Sequence, residues 1–329
     1  MKIFTGILKA AVLTGALVLT AGLTSCDDER APRNVNGWTE WAGVRCSPYG
    51  WRVNGERKYP DESTLKTYIN KMMSLYNKDE NTNARGALVL IVGTSSESDD
   101  YSCSLGFPNT DPDTGKRIAT FTSGKYNASF NKDDRYESYL TELDKAGNID
   151  VWLQVESGYA DIVKLAKVVM TRYKKHSCVK GFGIDVEWYQ NVEDGEPGVP
   201  LTDSVAKSVD EAVKAINPEY SVFVKHWETG YLPPKYRGKN KDMVFVTDSQ
   251  GFTSLTEATT HYDRWANHYD PNPVFFQIAY NADSSLWKSF ENPLKGYGTY
   301  ILQNLAESDQ KRGIIWVDFT FIDAYNLSK

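Results

Sequence analysis

Eight apolar, strand-like segments recur along the chain, and this recurrence constrains the fold more than any other feature. Between most of them, apolar residues repeat every three or four positions, as they do after Asp61 and over 136–143, 162–173, 205–216 and 255–265. Eight strands with intervening helices specify a (β/α)8 barrel better than an open sheet of this length. We therefore predict an α/β protein with one TIM-barrel domain over residues 38–329. Its strands are expected at 41–46, 86–93, 149–156, 181–188, 220–227, 243–249, 273–280 and 313–320.

Two connections between these strands depart from a simple strand–helix repeat. The segment "ETGYLPPKYRGKNKD" (228–242) is too short and too rich in proline for a full helix. The connection over 94–131 is long, and we expect it to fold over one face of the barrel.

The N-terminal segment "MKIFTGILKAAVLTGALVLTAGLTSC" places Lys2 and Lys9 ahead of an apolar core that is followed by small residues. The uninterrupted apolar run is short, which predicts a secretory signal instead of a membrane span. The signal ends in "LTSC" (23–26), which resembles a bacterial lipoprotein box. That resemblance implies cleavage before Cys26 and diacylation of its sulfur.

The next residues, "CDDER", resemble the surface-export signal of Bacteroidetes lipoproteins. We therefore assign residues 1–25 to the signal peptide and residues 26–37 to the lipidated Cys26 and a tether. The resemblance implies an outer-membrane lipoprotein that faces the cell exterior.

Composition narrows the choice of partners. The net charge of −6 and the absence of a basic stripe argue against nucleic acid. The nine Trp and twenty Tyr include flat rings that suit sugar faces, although such rings are also ordinary core material. Cys46 and Cys103 are able to pair in an oxidising exterior, which would leave Cys178 free. No spacing resembles a metal site, and we expect neither metal nor cofactor.

Polar side chains fall on one face of the predicted strands, near their C-terminal ends. The outer face of a barrel packs under helices and should be apolar, so this polar face is expected to line the lumen. On the fifth strand the pattern leaves two choices, because either Lys225 with Trp227 or His226 with Glu228 faces inward. Active sites of such barrels lie at this end. The other residues predicted to face inward are Gln154, Glu156, Asp185, Glu187, Asp248, Gln250, Gln277, Trp316 and Asp318.

The stretch "KGFGIDVEWYQ" (180–190) places Asp185 and Glu187 two residues apart among apolar neighbours. Burying two carboxylates side by side is costly, and their repulsion raises pKa values. Glycoside hydrolysis needs one carboxylic acid that stays protonated near neutrality and a second carboxylate that stabilises positive charge. Glu187, beside Trp188 and Tyr189, is the better proton donor. Asp185, one pleat deeper, can hold the proton of Glu187 or orient a substrate amide.

This stretch is similar to the fourth-strand signature of glycoside hydrolase family 18, the chitinases and endo-β-N-acetylglucosaminidases. The signature reads Asp-x-x-Asp-x-Asp-x-Glu, and Lys180 and Gly183 stand where the family has its first two aspartates. "FVTD" (245–248) resembles the family's Met-x-Tyr-Asp, and Trp316 resembles the tryptophan that floors its sugar site. The resemblance implies a substrate containing N-acetylglucosamine, Glu187 as general acid/base, and the substrate's N-acetyl oxygen as nucleophile, positioned by Asp185.

These arguments predict a catalytic group and a substrate-binding group of residues. Three alternatives stay open. The first is a glycosidase that uses acids from different strands, such as Glu187 with Glu228 or Asp318. The second is a glycan-binding barrel without catalysis, and the third is a structural lipoprotein that binds no ligand. Expected partners are an oligosaccharide or glycan, the outer membrane through the lipid, and glycan-uptake proteins. The predicted catalytic residues are Glu187, Asp185 and Asp248, and the predicted substrate-binding residues are Gln154, Glu156, Trp188, Tyr189, Trp227, Glu228, Gln250, Gln277, Tyr280, Trp316 and Asp318.

Overall fold

The computed structural model describes residues 39–53, 56–57, 59–76 and 84–328. The predicted signal peptide (1–25), the lipidation at Cys26 and the tether (26–37) lie outside these residues. Within the described ranges, no helix has the length and apolar character needed to cross a membrane.

Eight parallel strands form a closed barrel. Each strand pairs in parallel with the next, and the first also pairs with the last, so that the sheet has no break around the lumen. The predicted single (β/α)8 barrel is confirmed. Its strands are β1 (Trp41–Cys46), β2 (Arg85–Ser95), β3 (Ile149–Val155), β4 (Val179–Asp185), β5 (Ser221–Lys225), β6 (Val244–Thr247), β7 (Val274–Ile278) and β8 (Arg312–Trp316).

Helices cover the outside of the barrel. The five helical patterns predicted from the sequence correspond to the first five helices below. Side-chain caps fix several starts: Asp161 accepts hydrogen bonds from two backbone N–H groups of the helix that follows it. Between β5 and β6 the described chain forms a single 3-10 turn, Thr229–Tyr231, as the prolines predict. The helices are α1 (Glu62–Tyr76), α2 (Glu137–Asp144), α3 (Ile162–Tyr173), α4 (Asp203–Lys214), α5 (Leu255–Tyr269), α6 (Ser284–Trp287), α7 (Pro293–Gln303) and α8 (Phe321–Leu327).

The long connection after β2 adds two short strands to the sheet. Cys103–Leu105 pairs antiparallel with the end of β2, and Ala128–Phe130 pairs parallel with Cys103–Leu105. Elsewhere, Arg52–Val53 and Glu56–Arg57 form a small hairpin. Cys46, Cys103 and Cys178 are buried free thiols, so the disulfide that the sequence left open is not formed.

Aromatic rings close the lower half of the lumen. Trp41, Trp152 and Phe275 meet edge to face, with ring centroids 5.6, 5.4 and 4.9 Å apart. The indole N–H of Trp41 donates to Asp150 Oδ2 at 2.9 Å, which satisfies the one polar group of this ring in a buried position. Because these rings fill the lumen from below, a ligand reaches it from the C-terminal ends of the strands.

Gly183 leaves room for an aromatic ring of the neighbouring strand in the lumen, directly beneath the predicted acidic pair. A Cβ added at Gly183 would lie 2.1 Å from the ring of the fully buried Phe223 on β5. No side chain fits there while Phe223 keeps its place. Gly183 stands where the family 18 signature has an aspartate, and here the neighbouring strand occupies that space.

Candidate active site

A cavity of about 570 Å³ opens at the C-terminal ends of the barrel strands. Its volume falls within the range of pockets that hold small ligands. Seven of the predicted site residues line it: Glu156, Asp185, Glu187, Trp188, Asp248, Gln250 and Tyr280. The other lining residues are Arg45, Tyr49, Ser95, Ser96, Glu97, Val192, Asp194, Lys225 and Phe319.

A buried lysine organises the acidic residues of the cavity. Lys225, the last residue of β5, faces inward, which resolves the ambiguity that the sequence left on this strand. Its Nζ lies 3.0 Å from Asp185 Oδ2 and 3.9 Å from Glu187 Oε2, and it contacts Asp248 Oδ2 directly. Burial by itself would lower the pKa of Lys225, but the carboxylates of Asp185 and Asp248 outweigh burial and hold that pKa well above its usual value. Lys225 is therefore a permanent cation.

Asp185 is the final residue of β4 and is held by two donors. Its Oδ2 accepts a hydrogen bond from Gln154 Nε2 at 3.0 Å and forms an ion pair with Lys225 Nζ. Burial raises the pKa of Asp185 to about 6, against the lowering effect of Lys225. Its other oxygen, Oδ1, has no hydrogen-bond partner among the described residues. Asp185 is thus ionised at neutral pH, and its Oδ1 is a buried oxygen without a hydrogen bond.

Glu187 lies beyond the strand that was predicted to carry it. Strand β4 ends at Asp185, and Val186–Trp188 form a 3-10 turn, so the predicted strand over 181–188 is wrong in its last three residues. The Glu187 side chain is 18% exposed and lines the cavity. Burial raises its pKa to about 8; Lys225 opposes this shift, while Asp185 and Asp248 add to it. Glu187 therefore carries a proton at neutral pH.

The spacing of this pair limits the mechanism. Asp185 Oδ2 and Glu187 Oε2 lie 3.0 and 3.9 Å from one nitrogen, so these oxygens are less than about 7 Å apart. Carboxyl groups that activate a water between them, in inverting glycosidases, are about 6.5–9.5 Å apart. The pair therefore lies in the lowest part of that range or below it.

Glu156 supplies a further acid at the end of β3. It accepts hydrogen bonds from Tyr49 Oη at 2.6 Å and from the Ser95 backbone N–H at 3.1 Å. Burial raises the pKa of Glu156 to about 7, and the charge of Asp185 contributes to that increase. Glu156 is thus an acid from a neighbouring strand that shares the cavity with Glu187.

Asp318 has a structural partner that the sequence analysis missed. Its Oδ1 accepts from Arg45 Nε and Nη2 at 3.0 and 2.7 Å, and its Oδ2 accepts from the backbone and hydroxyl of Ser47. The predicted substrate-binding role is not supported by its position, because Asp318 does not line the cavity and both of its oxygens are occupied. Arg45 does line the cavity, with its guanidinium 4.6 Å from the ring centroid of Phe319.

Trp316 does not face the lumen, and that prediction is wrong. Its ring packs against Trp287, 5.9 Å away between centroids, and its indole N–H donates to Thr320 Oγ1 at 3.0 Å. Strand β8 ends at Trp316, and the chain turns there. The side chain of Asp318, two residues later, therefore does not continue the inward–outward alternation of β8. Ile315 occupies the lumen instead.

The remaining predicted residues lie around the cavity but not in its wall. Trp227 and Glu228 line a separate depression, where Trp227 stacks on His226 at 4.1 Å between ring centroids. The alternative that combines Glu187 with Glu228 in one site is therefore not supported. Tyr189 is buried in the core that surrounds the barrel. Gln154 and Gln277 are fully buried; Gln154 reaches the site through Asp185, and Gln277 Oε1 accepts from Tyr280 Oη at 3.4 Å.

Comparisons with known proteins provide similarity of fold only. The sequence matches no protein-family model, and the search of curated proteins found no match. Among solved structures, a candidate alpha-L-fucosidase from Bacteroides thetaiotaomicron VPI-5482 aligns over 98% of this chain and 97% of its own, at 10% identity and a TM-score of 0.46. A beta-1,4-D-mannanase from Cryptopygus antarcticus aligns over 88% and 89%, at 13% identity and a TM-score of 0.43.

A third solved structure, Bacteroides thetaiotamicron EndoBT-3987 with a Man5GlcNAc product, aligns over 80% of this chain at 12% identity and a TM-score of 0.38. The chain spans 61% of that protein's length, and 32% of an FMN-binding beta-glucuronidase from Facaelibacterium prausnitzii L2-6. The chemistry of this chain must therefore be argued from its own side chains.

Proposed function

We propose that this chain is a glycoside hydrolase with Glu187 as its general acid/base. One observation carries the proposal: the Glu187 carboxyl group, with a pKa raised to about 8, lines an open cavity beside Asp185. A proton donor must remain protonated at working pH, and its partner carboxylate must remain ionised. Lys225 favours this difference, because it lies closer to Asp185 and Asp248, which it keeps ionised, than to Glu187. The cavity also presents aromatic rings, from Trp188, Tyr280 and Phe319, that suit the faces of sugars.

The finer proposal is a substrate that contains N-acetylglucosamine, as the family 18 resemblance implies. Glu187 donates its proton to the glycosidic oxygen as the bond from that oxygen to C1 breaks. The acetamido oxygen of the sugar then bonds to C1, while Asp185 orients the acetamide group. Water attacks C1 next, the bond to the acetamido oxygen breaks, and the Glu187 carboxylate takes the proton of the water. The position of the ionised Asp185 in the cavity wall, beside Glu187, supports this assignment.

A glycan-binding barrel without catalysis is the second candidate, and one contact favours it. Lys225 lies 3.9 Å from Glu187, so a modest movement of either side chain would convert the acid into an ion-paired carboxylate that donates no proton. Hydrolysis assays on N-acetylglucosamine oligomers and N-glycans, with binding measured on the same ligands, separate the two functions. Hydrolysis supports the enzyme; binding without hydrolysis supports the second candidate.

The pH dependence of kcat/KM is the direct test of the assigned protonation states. Activity needs Glu187 protonated and Asp185 ionised, so kcat/KM should be highest between about pH 6 and pH 8 and fall on either side. Because the acids interact, the two apparent pKa values belong to the group as a whole. Activity that stays constant from pH 8 to pH 10 would contradict Glu187 as the acid. The control Glu228→Gln, outside the cavity, should leave the profile unchanged.

We also propose that the protein is held at the outer membrane, facing the exterior, through a lipid on Cys26. The support is the "LTSC" box followed by "CDDER". Labelled palmitate supplied to expressing cells should be incorporated into the full chain and not into Cys26→Ala. Equal labelling of both proteins would refute the anchor. A surface location would place the site beside glycan-uptake proteins, which we propose as partners.

A further inference from the structure

The central cavity continues into a second one, and together they form what we call the extended cleft. The second cavity measures about 640 Å³ and shares Ser96, Glu97 and Val192 with the first. Each cavity has the volume of a pocket for one small ligand. The remaining residues of the second cavity are Ser98, Asp99, Ser102, Lys125, Tyr159 and Glu193.

The extended cleft crosses the mouth of the barrel. The second cavity is built by the connections that follow β2, β3 and β4, whereas Tyr280 and Phe319 follow β7 and β8. In the closed order of eight strands, β3 lies opposite β7. The extended cleft therefore has two arms, one toward Tyr159 and one toward Tyr280 and Phe319.

Exposed aromatic rings mark both arms. Phe319 is 41% exposed on the wall of the central cavity, and Tyr126 is 51% exposed beside the second. The Tyr126 ring meets Tyr159 edge to face at 6.4 Å between centroids, and Lys125 Nζ lies 4.5 Å from the Tyr159 centroid. These contacts order the Tyr126 ring while leaving much of it open to solvent. A ring ordered in advance loses little entropy when a sugar stacks on it.

We infer that Tyr126, Tyr159 and Lys125 form a distal sugar subsite, so that a bound glycan extends from Glu187 into the second cavity. This inference rests on the proposed function, because it takes the ligand at Glu187 to be a glycan. Lys125 and the tyrosine hydroxyls supply donors for sugar hydroxyl groups, and the rings supply the stacking surface.

Binding to inactive protein tests the subsite without turnover. In a Glu187→Gln background, calorimetry with the dimer and the hexamer of β-1,4-linked N-acetylglucosamine should show tighter binding of the hexamer. Tyr126→Ala should weaken hexamer binding roughly three- to tenfold, the value of one aromatic contact, and leave dimer binding unchanged. Tyr126→Phe should retain the affinity. Leu327→Ala, which removes an equally exposed side chain from α8, is the control.

The outcomes separate this inference from the proposed function. Equal affinities for dimer and hexamer, no binding of either, or equal losses for both in Tyr126→Ala would overturn the subsite. Length-dependent binding that Tyr126→Ala abolishes, without hydrolysis by unsubstituted protein, would support the subsite and refute the hydrolase.

Discussion

Glu187→Gln is expected to lower kcat on a natural glycan about a hundredfold to ten-thousandfold, the usual contribution of a general acid. The amide has the size of the acid but no proton to give to the leaving oxygen. Binding should survive, because the amide keeps the shape of the acid and loses a contact with Lys225 that is already long, at 3.9 Å. The loss should be smaller for an aryl glycoside whose leaving group departs without protonation.

Two control measurements show whether the loss of activity comes from the missing proton donor. Glu228→Gln makes the same chemical change in a separate depression and should keep full activity. Thermal unfolding of Glu187→Gln at pH 7 should occur at or above the temperature of the unsubstituted protein, since the substitution removes an acid whose ionisation burial opposes. An unchanged kcat on the natural glycan would move the acid to another residue, with Glu156 the first to test.

Lys225→Met is expected to lower the free energy of unfolding by about 3–5 kcal/mol at pH 7, as expected when one partner of a buried ion pair is removed. Asp185 and Asp248 would lose the ammonium between them and remain buried without a counter-charge. Methionine has similar length and fills the space, so lost packing contributes little.

The control for this loss is Lys207→Met. Lys207 is an exposed lysine of α4, 3.8 Å from Glu211, and surface pairs contribute at most about 1 kcal/mol. Denaturant unfolding of both variants at pH 7 and pH 4.5 provides the test. The Lys225→Met loss should shrink at the lower pH, because Asp185, whose pKa is about 6 even with the lysine present, then takes up a proton. Equal losses for the two lysine variants would contradict the role of Lys225 as a buried counter-ion.

The barrel was predictable because its signals are local. Each strand is a short apolar run and most helices repeat apolar residues at helical spacing, so the number and order of elements can be read from the sequence. Strand ends were less predictable. Alternation predicts a direction only while the chain stays extended, and it fails where β4 enters a turn after Asp185 and where β8 ends at Trp316.

The site was predictable as a group of acids but not as a balanced set of charges. Asp185, Glu187 and Asp248 stand out because carboxylates are unusual in apolar strands. The sequence did not identify the cations that pair with the acids, which are Lys225 beside Asp185 and Arg45 beside Asp318. A stricter requirement that buried acids have counter-charges would have chosen Lys225 over His226 and drawn attention to Arg45 in "WAGVRC". Loop residues such as Tyr49 and Glu97 follow no periodic pattern.

Phe223 has a consequence for the history of this chain. An aspartate at position 183 would collide with that ring, and shortening the ring first would leave a void that costs about 3–5 kcal/mol. Either first step alone is costly, so the residues at positions 183 and 223 are coupled. The lysine-centred arrangement and the aspartates of the family 18 signature therefore differ by paired changes on two neighbouring strands.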